Sequence, residues 1–386
     1  MEQKNSINAI LFILFLFISS LTLPLKVLMN NGLSVWIATL IIIFLSLYNN
    51  KAIIDIRVLF IIIISLLFFC INLILVEYKG IVFNLMFEFI KYGLIPLYLA
   101  SQVKINVSLY KYWYIAGCIS TVFWLIFLNE VIDRNVSYMG FGIQMTYCFI
   151  IFTFYFYKNN KYRVLNLILM VLTFSLILIL GNRVSVLTCI FIIAYFELRK
   201  IEKKHILYSI TKISILITLI LILFKNFQNI IYWIRDILYF YNIKSYLINK
   251  IIYMFNNGLF ESSSGRDIIY KYSIDIIKEK SFLPTGVGYF EYATGYVYPH
   301  NVFLDLIITF GIISMPIIFQ FIVFVKRNIR KLDKKNRIII FTLLIFAFSR
   351  LFFSATFWTE PILWMIIGLL FIKKDKIYGN KISIEN

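Results

Sequence analysis

Runs of about twenty residues with few charges recur from one end of this chain to the other. A hydrocarbon core ~30 Å thick is crossed by ~20 residues rising 1.5 Å each, so such a run reads as a spanning helix. Composition points the same way: 61% of the 386 residues are hydrophobic and 15% charged, where a soluble domain carries roughly 25% charge. The pattern predicts an all-α polytopic membrane helix bundle of about twelve transmembrane helices. They fall near 7–23, 34–48, 58–76, 81–100, 112–129, 137–157, 164–181, 184–198, 206–224, 301–325, 338–353 and 357–372. The first run has no small-x-small cleavage site and is followed by further spans, so it reads as a helix and not as a signal peptide. The chain divides into helices one to nine (1–224), a long loop (225–300), and helices ten to twelve with a tail (301–386).

A net charge of +19 would suit a nucleic-acid binder, but its distribution argues against one. The short odd-numbered loops each hold a single basic residue: Lys26, Lys79, Arg134, Arg183 and Arg350. The even-numbered loops and the tail hold clusters, such as Arg199, Lys200, Lys203 and Lys204, and the run from Lys326 to Arg337. That is the positive-inside pattern, which places both termini in the cytoplasm. The charge orients the protein in the bilayer, and no nucleic-acid partner is expected. Cys70, Cys118, Cys148 and Cys189 all fall within expected spans without a CxxC, so neither disulfides nor a cysteine metal site is expected.

One connection breaks the rule of short loops. Residues 225–300 form a segment of about 75 residues on the extracytoplasmic side, and loops of that length are usually functional or disordered. Its richness in Ile, Tyr and Phe argues against disorder. The stretch 226–255 mixes Trp233 with Arg235, Lys244 and Lys250, which suits one or two interfacial amphipathic helices; a re-entrant segment is the alternative. Further on, Ser264 can cap a helix carrying Ile268, Ile269, Tyr272 and Ile276, with Asp267 in capping-box position. Arg266 then sits in the first turn, beside exposed N–H groups and the positive end of the helix dipole, a place that attracts phosphate. Pro284-Thr285-Gly286-Val287-Gly288 gives a breaker and a flexible turn after Lys280. The loop closes on His300-Asn301.

Topology thus gathers Arg183, Arg266, His300 and Arg350 on one side of the membrane. Each arginine has a bland reading, snorkelling to headgroups, and a sharper one, a shared site for an anionic diphosphate, whose geometry a guanidinium fork matches. His300 titrates near neutrality and suits a general base for a hydroxyl. Asp305, one turn into the following helix, could orient the imidazole or serve as a polar residue in the bundle interior. His205, in the basic cytoplasmic loop, reads as a solvated surface residue. Glu88 and Lys91 lie deep in the fourth span, where each charge costs ~2.5–3.5 kcal/mol on insertion scales. They read as an ion pair or as the lining of a substrate portal. No Walker loop, GxGxxG, HExxH or Asp-x-Asp occurs, so no metal and no nucleotide cofactor is expected.

The motifs Gly181-Asn182-Arg183, Ser264-Gly265-Arg266, Pro284-Thr285-Gly286-Val287-Gly288 and His300-Asn301-Val302-Phe303-Leu304 with Gly311 resemble, in order and spacing, those of the bacterial O-antigen polymerase and O-antigen ligase family. That family includes capsule and exopolysaccharide polymerases. The resemblance covers about residues 175–315; the first 170 match only as membrane helices. It implies an inverting glycosyltransferase without metal or cofactor at the outer face of the cytoplasmic membrane. Its donor would be a glycan on undecaprenyl diphosphate, and its acceptor the sugar of another lipid-linked unit. His300 would be the catalytic base, Arg183 and Arg266 the diphosphate ligands, and Asn301 with Asp305 their support. Arg350 joins the site on topology alone. A flippase and a chain-length regulator are the partners such an enzyme implies. The alternatives are an O-antigen ligase with a lipid A core acceptor, and a transporter of the same lipid-linked unit, which should show an internal repeat and broken midplane helices.

Overall fold

Helix is the only regular secondary structure among the residues described in the computed structural model, which are 2–29, 33–133, 136–158, 162–199, 227–241, 243, 245–257 and 265–371. The ninth expected span (206–224), His205, Lys244 and Ser264 lie outside them. Each of the other eleven expected spans meets helix, and among the described residues six helices are long and apolar enough to cross a bilayer.

The first expected span is broken into α1 (Glu2–Leu16), α2 (Ile18–Leu21) and α3 (Leu23–Met29). Pro24, in the first turn of α3, has no N–H with which to continue the preceding helix. Ser20 of α2 is tied into a buried polar knot. Its Oγ donates to Gln144 Oε1 at 2.9 Å and accepts from Ser120 Oγ at 2.7 Å and Trp124 Nε1 at 2.8 Å. Next come α4 (Leu33–Asn49), α5 (Ile56–Leu75) and α6 (Lys79–Phe89). A π-turn over Ile90–Leu94 joins α6 to α7 (Ile95–Ser101) just ahead of Pro96, and together these three form one span of 23 residues.

After α8 (Val107–Ile126) and the short α9 (Leu128–Ile132), α10 (Tyr138–Lys158) forms the post of the bundle. Of its most apolar stretch 72% is buried inside the protein, against 28% for α11 (Arg163–Leu180) and 17% for α5. It packs against α8, α11 and α12 (Arg183–Arg199). The aromatic segment beyond is two helices, α13 (Phe227–Phe240) and α14 (Tyr246–Asn257). They close on each other through Ile231, Leu238, Ile248 and Ile252, and Ser245 donates its hydroxyl to the Ile179 carbonyl near the end of α11. The loop continues with α15 (Arg266–Glu279) and α16 (Tyr289–Thr294).

The expected tenth span is also two helices. α17 (Val302–Phe310) stops at Gly311, a 3-10 turn covers Gly311–Ile313, and α18 (Ser314–Ile329) resumes; α19 (Lys334–Phe353) and α20 (Pro361–Leu370) complete the fold. A broken helix exposes carbonyls that lipid cannot satisfy. The Pro284–Gly288 turn supplies the missing donors. Thr285 gives its N–H and its hydroxyl to Ile308 O (3.1 and 2.7 Å), and Gly286 N–H goes to Thr309 O at 3.2 Å. In return Ile312 N–H donates to Phe282 O at 2.9 Å. Val287 N–H donates to Asn72 Oδ1 on α5 at 3.0 Å. Gly311 has φ +58°, and a Cβ on it would stand 2.2 Å from Phe282 O.

Gly311→Ala should therefore lower the melting temperature of the purified protein by more than Gly295→Ala. Gly295 shares the left-handed backbone (φ +73°) but a Cβ there meets nothing within 4 Å, so it isolates the conformational cost of about 1–2 kcal/mol. Equal shifts for the two variants would mean that the clasp is not tight.

Candidate active site

Three turns deliver the charged residues, and each turn is built by its neighbours in sequence. Gly181 closes α11, and Asn182 Oδ1 accepts the Ser185 N–H at 2.9 Å, opening α12 with Arg183 as its first residue. Gly142 of α10 approaches so closely that a Cβ on it would lie 2.7 Å from Asn182 Nδ2. Arg266 is the first residue of α15. The residue before it, Gly265, is left-handed at φ +77° and offers no side-chain cap. His300 precedes α17, whose cap is Asn301. Its Oδ1 accepts from Phe303 N at 3.0 Å and Leu304 N at 3.4 Å.

These turns meet at one cavity of about 370 Å³. Its wall includes Arg183, Arg266, His300 and Arg350, all four of the residues singled out in the sequence, together with Lys250 of α14 and the first residues of α10. No carboxylate lines it among the described residues. Three long helices, α10, α12 and α15, open on it with their N-terminal ends, whose partial positive charge adds to that of the side chains.

His300 has the backbone of a functional outlier, φ +55°; strain of this kind collects at sites where the surroundings over-determine it. Its ring lies 4.3 Å from that of Tyr298, centroid to centroid, and its Nδ1 is buried with no hydrogen-bond partner among the described residues. Tyr298 anchors the segment by donating to Ser354 O at 2.8 Å, one turn beyond Arg350. Burial, and then the charge of Arg266, push the imidazole down to about 4. It is neutral at physiological pH and able to accept a proton.

Arg350 is held by a residue that sequence reasoning missed. Its Nε donates to Glu360 Oε2 at 2.5 Å, with the guanidinium 15% exposed and the carboxylate fully buried. Glu360 also caps α20. Removing one partner of a buried pair costs about 3–5 kcal/mol, so Glu360 fixes where Arg350 points. A lone carboxylate before Pro361 at the mouth of an apolar helix was the available signal. Lys250 gave no signal of its own; it was legible only as part of an amphipathic stretch.

Asp305 does not orient the imidazole. Its carboxylate accepts from Thr356 Oγ1 at 2.5 Å and lies in a separate small pocket. One helical turn carries it past His300 toward the α19–α20 connection. The expected Glu88–Lys91 ion pair does not form either: Lys91 Nζ lies over the Trp36 and Tyr92 rings, at 4.2 and 4.8 Å.

Comparison with known protein families, with characterised proteins and with solved structures finds no match to this chain.

With two histidines in the chain, a His205→Gln variant leaves His300 as the only imidazole reporter. Its NMR titration should show a midpoint near pH 4. Arg266→Ala removes a like charge and should move the midpoint upward. Inorganic pyrophosphate should also move it upward, because a neighbouring anion favours imidazolium. A midpoint near 6.5 that neither change moves would remove His300 from this environment.

Proposed function

We propose that this protein is a polymerase of lipid-linked oligosaccharide repeat units, a member of the O-antigen polymerase and ligase family. In this reading it has about twelve spans in the bacterial cytoplasmic membrane, both termini in the cytoplasm, and the 225–300 loop and active site on the extracytoplasmic face. The observation that carries the proposal is the meeting of Arg183, Lys250, Arg266, Arg350 and His300 at one cavity without an acidic residue in its described lining.

The chemistry follows from that set. An oxygen of the acceptor sugar attacks the anomeric carbon of the donor glycan from the side opposite the diphosphate. The new glycosidic C–O bond forms as the anomeric C–O bond breaks, and the electron pair leaves with undecaprenyl diphosphate. The hydroxyl proton passes to His300. Arginines preorganised around the leaving group stabilise the charge that develops on it, without reorganisation at the moment of reaction. Diphosphate binding also offsets the effect of Arg266 on His300, raising its basicity as the substrate arrives.

A second groove suits the isoprenoid tail. It encloses about 430 Å³, is almost wholly apolar, and is lined by Phe68, Leu306, Phe310, Phe321 and Trp364. Val302 and Phe303, directly after the His300-Asn301 turn, also border it. A chain lying there would keep its diphosphate close to the cationic cavity.

Purified protein given lipid-linked repeat units should make longer glycans. His300→Ala should slow elongation by about 10²-fold or more, the usual weight of a general base, and Arg266→Ala comparably. Elongation at wild-type rate by both variants would remove the site assignment. Translocation of the unit without elongation would favour the transporter.

A further inference from the structure

Arg350 borders a second cavity as well. This one encloses about 350 Å³ and is lined by Glu88 and Tyr92 from the α6 span, Ser19, Tyr147 and Thr359, with Arg350 as the residue common to both cavities. Its chemistry is the opposite of the first. Where the cationic cavity has no carboxylate among the described residues, this one has Glu88. The rest of its wall mixes the hydroxyls of Ser19, Tyr147 and Thr359 with apolar side chains such as Leu16, Ile143 and Met365, and Glu88 is exposed.

Two groups here are unspent. Glu88 sits within an apolar helix, and its sequence neighbour Lys91 is engaged with aromatic rings. No ion pair holds Glu88 among the described residues. The Arg350 guanidinium is fixed through Nε alone, so its terminal nitrogens have no acceptor among the described residues. A carboxylate that only accepts and a guanidinium that only donates, on one wall lined with hydroxyls, complement a ligand that both donates and accepts. A second diphosphate would be repelled by Glu88. A polyhydroxylated, uncharged sugar would not, and the Tyr92 ring offers it an apolar face. The π-turn at Ile90–Leu94 begins directly after the Glu88 turn; such turns often mark functional positions in helices.

We infer that this cavity is the acceptor subsite. It takes the sugar whose hydroxyl attacks, Glu88 accepts hydrogen bonds from that sugar's hydroxyls, and Arg350 forms the wall between acceptor and donor. The assignment rests on the polymerase reading for the word acceptor, while the carbohydrate site itself is independent of it.

The test is equilibrium binding to full-length protein in nanodiscs. The probe is a fluorescently labelled oligosaccharide released by mild acid from the cell's own lipid-linked precursor; inorganic pyrophosphate is measured alongside. Wild type should bind both. Glu88→Ala should weaken saccharide binding at least tenfold and leave pyrophosphate binding unchanged, and Arg266→Ala should do the reverse. Gly140→Leu is the second variant. Gly140 lines the cavity, and a Cβ there meets only Ser137 Cβ, at 3.9 Å, so a side chain can start there without a clash, and its added bulk should hinder the saccharide. The subsite is overturned if wild type does not retain the saccharide, or if both Glu88→Ala and Gly140→Leu bind it as wild type does. Saccharide binding that depends on Glu88, without any pyrophosphate binding, would leave the subsite standing and sink the donor reading instead.

Discussion

A backbone that breaks inside an apolar segment must have its freed polar groups taken up by the protein, because lipid offers no partners. At Gly311 the chain meets this constraint by folding a distant turn onto the break. The amides of Thr285 and Gly286 cap the carbonyls of Ile308 and Thr309, and the carbonyl of Phe282 takes up the Ile312 N–H. That exchange ties the end of the long loop to the middle of a helix. The segment running from the turn to His300 is then closed at both ends, since Tyr298 binds the end of α19. His300, with its left-handed backbone, lies within this doubly held segment and lines the same cavity as Arg350.

Around this frame positive groups are gathered: four cationic side chains and three helix N-termini border one cavity, with Arg350 paired to Glu360. Packing supplies what charge does not. Gly142 lets α10 approach the Asn182 turn at backbone distance, and buried Glu360 holds Arg350 in place. The neutral imidazole among these cations has the same origin, since burial and a neighbouring positive charge both disfavour its protonation. On the proposed reading, an entering diphosphate would offset that positive charge and make the base stronger.

The two polar cavities differ in the charges on their walls. One gathers guanidinium groups, the other sets a carboxylate among hydroxyls, and Arg350 belongs to both. Glycosyl transfer between two lipid-linked units needs such an asymmetry, because donor and acceptor carry the same head group and must be told apart. On the proposed reading, Glu88 would do this by keeping a second diphosphate out of the acceptor subsite.

Hydropathy alone located the helices, because a spanning segment carries its own signature in twenty consecutive residues. The same local logic made the turns at Gly181-Asn182-Arg183, Gly265-Arg266 and His300-Asn301 legible, since helix caps are written within four residues. What hydropathy missed is where those helices break: Thr22, the π-turn before Pro96, and Gly311 keep an apolar composition while changing direction. The pairing of charges was also hidden. Asp305 looked like a partner for His300 and went to Thr356; Lys91 looked like a partner for Glu88 and went to aromatic rings. Lys250 reached the cavity from a neighbouring helix of the loop, and Glu360, ten residues beyond Arg350, fixed that arginine. The sequence by itself determined an all-helical bundle suited to a membrane and which residues carry its distinctive charges. Which of those charges meet was decided only by the tertiary structure, because a contact between distant residues depends on packing that no local pattern of hydropathy or capping encodes.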